Sequence, residues 1–167
     1  MKHLITIKEI SQLARPCNAK DDLSERCIEE AELLDVKPVI GDKLYLRLMD
    51  NIEPGILMDG GRWTDKNGNP HIIAGLKKAT AYYAYARIVR NGSSRQTAAA
   101  FVTKESEYSR TTDLKERMAA YEEAFSIADG YMKEALYYIS NNRDIFPETK
   151  EVVKMKSNRT VFKIIGS

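Results

Sequence analysis

The stretch 114-LKERMAAYEEAFSIADGYMKEALYYI-139 decides how this chain folds. Its apolar residues fall at Leu114, Met118, Tyr121, Phe125, Ala128, Met132, Ala135 and Ile139, and no proline interrupts them. Spacings that alternate between four and three put them on one face of an α-helix. At about 1.5 Å per residue that helix is roughly 40 Å long, enough to serve as the spine of a small domain.

The elements before the spine follow from local signals. Thr6 and Glu9 have the spacing of a capping box, so a short helix starts there and ends before Pro16. After a loop at 18–22, Asp21 or Asp22 caps a second helix. Leu23, Cys27, Ile28, Ala31 and Leu34 form its inner face, and Glu25, Glu29, Glu30 and Glu32 its solvated one. Pro38 suits the first turn of a third helix whose Ile40, Leu44, Tyr45 and Leu48 point inward, broken by the cluster at 51–55. Residues 56–73 change character. Gly60-Gly61 precedes Arg62-Trp63-Thr64, and Asn67-Gly68 precedes Pro70-His71-Ile72-Ile73, which predicts a β-hairpin arm carrying the only tryptophan. That tryptophan can plug the arm onto its own domain or onto a neighbour.

Residues 74–90 predict a second strong helix. Leu76, Ala79, Tyr83 and Ala86 form its stripe, with Tyr82, Tyr85 and Val89 beside it. Alanines allow close approach of another helix while tyrosines fill the margins, so this helix is expected against the spine, with Asn91-Gly92 as its stop. Residues 93–112 lack periodicity and are expected as a long loop. Beyond Pro147, the run Thr160-Val161-Phe162-Lys163-Ile164-Ile165 predicts a strand with no sequential partner. It can pair with the hairpin or complete a sheet in another subunit. The expected class is therefore mainly α. A helical domain over 1–142 is built around one long helix and carries the arm at about 56–73, and an extended basic tail occupies 143–167.

Composition narrows the function. A chain of 167 residues with 43% hydrophobic and 30% charged residues supports one ordinary globular domain. A net charge of +2 excludes a globally basic nucleic-acid or membrane-surface binder, although 143–167 is the basic end. That end suits solvent, an acidic protein surface or a phosphate backbone. Nine tyrosines favour partner surfaces. Cys17 and Cys27 lack the spacing and histidine partners of a zinc site, and Cys27 is expected as a buried, reduced thiol. With no signal peptide or apolar span, a soluble product of the cytoplasm is expected. His3 and His71 have no nucleophile at a motif spacing, adjacent Glu29, Glu30 and Glu32 diverge around a helix, and Gly60-Gly61 lacks the context of a phosphate loop. No catalytic, cofactor or metal residues are expected.

The order of elements, and above all the segments 28–48, 76–90 (LKKATAYYAYAR within it) and 102–109 (VTKESEYS), resembles the head–tail connector proteins of tailed bacteriophages, also termed neck adaptor or head-completion proteins. The likeness spans about residues 4–140 and is greatest to those from phages and prophages of gut Bacteroides-type bacteria, the crAss-like group included. The resemblance implies a non-enzymatic ring of copies of this chain, twelvefold to match the portal, in the neck of the virion. It would bind the portal and the next neck or tail protein, and packaged DNA would pass through without sequence-specific contact. Contacts with neighbouring subunits are then expected from Arg62 and Trp63 on the arm, Tyr82 and Tyr85 on the alanine–tyrosine helix, Phe101, and Val161, Phe162, Ile164 and Ile165 in the tail. The alternative is a small helical nucleic-acid-binding or regulatory protein that sets Arg87, Arg90, Arg95 and the basic tail on phosphates.

Overall fold

A computed structural model describes residues 2–17, 19–50, 55–91, 94–96, 101–103 and 114–147, the strand residues 94–96 and 101–103 by their backbone alone. The chain is mainly helical, as its sequence predicts. In order come α1 (Ile7–Leu13), α2 (Asp21–Ala31), a π-helical turn (Glu32–Val36), α3 (Lys37–Ile40), α4 (Asp42–Met49), α5 (Gly55–Asp59), β1 (Gly61–Thr64), β2 (Pro70–Ile73), α6 (Leu76–Asn91), β3 (Ser94–Gln96), β4 (Phe101–Thr103) and α7 (Leu114–Asn141).

The predicted capping box is present: Glu9 N–H donates to Thr6 Oγ1, and Thr6 N–H donates to Glu9 Oε2 at 2.7 Å. The second helix differs from expectation at both ends. Its N-cap is Lys20, with no side-chain cap, and Asp21 and Asp22 occupy the first turn, where their charge complements the helix dipole. At its other end it runs without a loop through the π-turn, where Lys37 N–H bonds back to Glu32 O, into α3. The wide turn rotates the register. Leu34 is turned out to 62% exposure while Val36 stays inside at 0%, and Glu32, four residues after the buried Ile28, is 1% exposed. Gly41, at φ +87, then breaks the rod and lets α4 fold back, with Ile40, Leu44, Tyr45 and Leu48 buried as predicted.

The core is dominated by the antiparallel pair α6 and α7. Ala79 and Ala86, on the α6 face that carries Tyr83, and Ala124, Ala128 and Ala135 on α7 are all at 0% exposure, so the backbones close on each other without intervening bulk, while Ala81 and Ala84, also at 0%, lie on the opposite side of α6. Aromatic residues edge the contact, Tyr83 on Phe125 at 4.9 Å and Tyr82 on Tyr131 at 5.6 Å between ring centres. Helices α1 and α2 pack on the remaining faces of α6.

Three further expectations change. Residues 56–59 belong to α5, with Leu57 and Met58 buried, so the arm proper begins at Gly61. The segment expected as a loop holds a second antiparallel hairpin, Ser94↔Thr103 to Gln96↔Phe101, joining the facing ends of α6 and α7. The helical domain also extends past Asn142, because Phe146 is 3% exposed and packs edge-on against Tyr138. The strand expected at 160–165 and the helix stop at Gly92 lie outside the described residues.

Candidate functional site: the hairpin arm and its anchorage

The arm is an antiparallel ladder in register Gly61↔Ile73, Arg62↔Ile72, Trp63↔His71, Thr64↔Pro70. Its base closes where Gly60 and Gly75 meet. A Cβ on Gly75 would lie 2.5 Å from Gly60 N and Met58 O, and Gly75 holds φ +89, so only glycine fits. Its tip is organised by Asp65, which accepts from Asn67 N–H and Asn69 N–H at 2.8 Å each and from Asn69 Nδ2 at 3.1 Å. His71 Nε2 stands 3.1 Å from the same carboxylate. The bonds from Asn69, reinforced by His71 and the Asn67 amide, hold the Asp65 carboxyl well below the usual range.

Alternation along the ladder sorts the arm into two faces. On the inner face Trp63 stacks on His71 with ring centres 4.8 Å apart and meets Tyr138 edge-on at 5.1 Å and Tyr137 at 5.7 Å. Tyr138 in turn contacts Phe146, whose ring lies under the Arg47 guanidinium at 5.8 Å. Trp63 is therefore the plug that seats the arm on its own α7, not a side chain offered to a neighbour. On the outer face Arg62 and Ile72 are exposed opposite each other, Ile72 to 72%.

Of the other residues expected at contacts, Tyr82 and Tyr85 are half-buried beside the core, Tyr82 already engaged with Tyr131. Phe101 lies in β4, and Val161, Phe162, Ile164 and Ile165 fall outside the described residues. The basic residues divide. Arg87 Nη1 stands 2.6 Å from Asp35 and its Nε 3.4 Å from Glu30, tying α6 to α2 and the π-turn. Burial pushes the Asp35 carboxyl up, and Arg87 opposes that shift. Arg90 instead lies over the Tyr121 ring at 5.5 Å. Arg87 is thus an internal tie and not a phosphate ligand.

Sequence reasoning also missed Glu32, which it placed on the solvated face. Its carboxylate accepts from Leu4 N–H at 2.6 Å and Tyr45 Oη–H at 3.0 Å and lies 3.1 Å from His3 Nδ1, so it fastens the N-terminal segment to α4. A buried carboxylate is tolerated only with such partners. The signal that could have found it is its place four residues after Ile28 and four before Val36, on the inward row that begins at Ser24.

Both histidines are held by carboxylates in structural roles. Among the described residues no cluster of His, Cys, Asp or Glu has the makings of a metal site, and no helix is long and apolar enough to cross a membrane. Residues 36–159 match a family described as one of unknown function, DUF6712. The chain belongs to that family. Neither the curated proteins nor the solved structures give a match. The DUF6712 match takes in the arm, both hairpins and the α6–α7 pair, and starts at the last residue of the π-turn.

Proposed function

We propose that this chain is a structural subunit of a virion neck, a head–tail connector that assembles into a ring between portal and tail and extends the DNA channel. The sequence resemblance supports this reading, and one feature of the fold carries it furthest: a large exposed apolar side chain stands at each end of α7. Leu114, in the first turn, is 64% exposed, and Ile72, on the arm seated at Tyr137 and Tyr138, is 72% exposed. The two ends are about 35 Å apart at the rise of an α-helix. A closed ring is built from heterologous contacts, in which one patch of a subunit meets a different patch of the next, and two separated patches suit that geometry.

The competing reading as a nucleic-acid binder loses Arg87, which is tied to Asp35 and Glu30. The deciding experiment is capture of the tagged chain from its native producing cells, with mass spectrometry of what it retains and imaging of the recovered particles. Retention of a portal or another neck protein in ring-shaped assemblies, weakened by Leu114→Glu, is the expected result. Enrichment of nucleic acid instead, with affinity falling steeply as salt rises, would overturn the connector reading.

A further inference from the structure

We infer that residues 2–5 form a strap that lifts off the helical domain as a unit, without unfolding it, and that the Glu32 carboxylate is the latch it leaves behind. This goes beyond the connector reading and does not depend on it.

Hydrogen bonds mark the limits of the strap. Among the described residues, those that hold residues 2–5 to the domain all end on Glu32: Leu4 N–H donates to Oε1 at 2.6 Å, and His3 Nδ1 lies 3.1 Å from Oε2. No backbone bond joins the segment to another element among those residues. The next residue already belongs to the start of α1. Thr6 N–H and the Thr6 hydroxyl are both engaged with Glu9 inside the capping box, so α1 keeps its N-terminus whether or not the strap is seated.

Packing marks the same limits. Leu4 and Ile5 are 7% and 2% exposed, so apolar burial is what seats the strap. Yet open space borders it on two sides. A cavity of about 150 Å³ is lined by Leu4 and Ile5 with Leu48, Met49 and Met58, and a groove of about 640 Å³ by His3 and Ile5 with Glu25 and Ile28. Side chains that border voids forfeit the contacts that a close-packed interior supplies, and a segment held that way is the first to leave.

The latch makes release accessible. A segment whose departure stranded a buried charge would be held shut, because an unpaired carboxylate out of water is costly. Here departure brings water to the charge instead. Glu32 is 1% exposed with the strap seated, and once residues 2–5 lift it keeps the Tyr45 Oη–H bond of 3.0 Å and takes water in place of Leu4 and His3. Each closure desolvates the carboxylate again, so the bond to Leu4 fixes where the strap sits more than how tightly it is held.

The test is amide exchange of the full chain by NMR, over denaturant concentrations too low to unfold it, beside the full-length Leu4→Asp variant. The Leu4 amide should be at least about a hundredfold less protected than the amide of Ala128, buried in the middle of α7, and nearly insensitive to denaturant, because lifting four residues exposes little surface. An aspartate at position 4 faces the Glu32 carboxylate and cannot seat, so in that variant the lifted strap is the ground state. Its Ala128 protection should then fall by no more than the protection factor that Leu4 shows in the wild type. A Leu4 amide that follows Ala128 at every denaturant concentration would overturn the inference. Loss of amide protection throughout α6 and α7 in Leu4→Asp would overturn it too, by making the strap part of the cooperative core.

Discussion

The two halves of α7 carry the same apolar spacing and meet different fates. From Ala124 onward the helix buries Ala124, Ala128, Met132, Ala135, Tyr138 and Ile139. Between Leu114 and Glu123 no residue is fully buried, although Arg117, Met118, Ala120 and Tyr121 are half-buried, and Leu114 is 64% exposed. The reason is the length of the partner. Helix α6 has 16 residues and α7 has 28, so at 1.5 Å per residue about 18 Å of α7 has no α6 beside it. The pair is antiparallel, with Ala74 N–H on Glu134, Tyr83 on Phe125 and Arg90 on Tyr121, so that excess is divided between the two ends of α7: the residues after Glu134 are met by the arm and Phe146, and those before Tyr121 run past the end of α6 as an overhang. Periodicity states which face a helix can bury and is silent about where its partner stops.

The largest effect that separates the halves is expected at Met132. Met132→Ala opens a cavity against α6 and should cost about 3 kcal/mol in denaturant-measured stability. Met118→Ala, the same change in the overhang, should cost less than about 0.5 kcal/mol. Equal losses would mean that the overhang is packed after all.

Next comes the tie between α6 and α7 at Tyr83, whose hydroxyl donates to Asp129. Tyr83→Phe should cost about 1 kcal/mol. Burial first, and then the Asp129 charge, raise the phenol above its ordinary value. A raised folded value means that the wild type is fully stabilised below the unfolded tyrosine value, about 10, and loses that stability as pH rises beyond it. The gap between wild type and Tyr83→Phe should therefore narrow in alkali, which thermal melts across that range would show.

The same contrast explains what the sequence made legible. The long helix, the alanine–tyrosine helix, the capping box and the Asn-Gly hairpin all rest on patterns within a few residues, and each formed where predicted. What escaped depends on distant geometry. Glu32 sits among acidic neighbours that do face solvent, and only the arrival of Leu4, His3 and Tyr45 at its carboxylate lets it stay buried. Arg87 resembles any surface cation of a helix until Asp35 and Glu30 are brought to it. Trp63 was open between two uses, and the proximity of Tyr137 and Tyr138 chose one. The hairpin at 94–103 has strands of only three residues each, too short to leave a period.

A smaller effect is expected where the overhang meets α1. Arg15 Nη2 lies 2.7 Å from Glu123, and the pairing holds the Glu123 carboxyl below its ordinary value. A depressed carboxylate contributes above the unfolded value and loses that contribution as pH falls through the folded one. Both side chains are largely in water, where salt screens the pair. Arg15→Ala should therefore melt indistinguishably from wild type in physiological salt, and any difference should appear only at low ionic strength above the carboxylate range.

The smallest effect on folding, and the most telling for function, belongs to Leu114. Leu114→Ala removes an exposed side chain and should shift the stability of the isolated subunit by less than about 0.5 kcal/mol. Leu114→Glu should be equally silent in the isolated subunit, since a carboxylate in the first turn of a helix is well placed against its dipole. If the overhang exists to be covered by another subunit, the same glutamate must be desolvated on assembly, and the ring should weaken while the monomer melts as before. Native mass spectrometry of assemblies beside thermal melts of the subunit reads both. Intact rings would place the heterologous contact away from Leu114. Loss of rings with an unchanged melt would show that the end of α7 that runs past α6 is the end that joins copies.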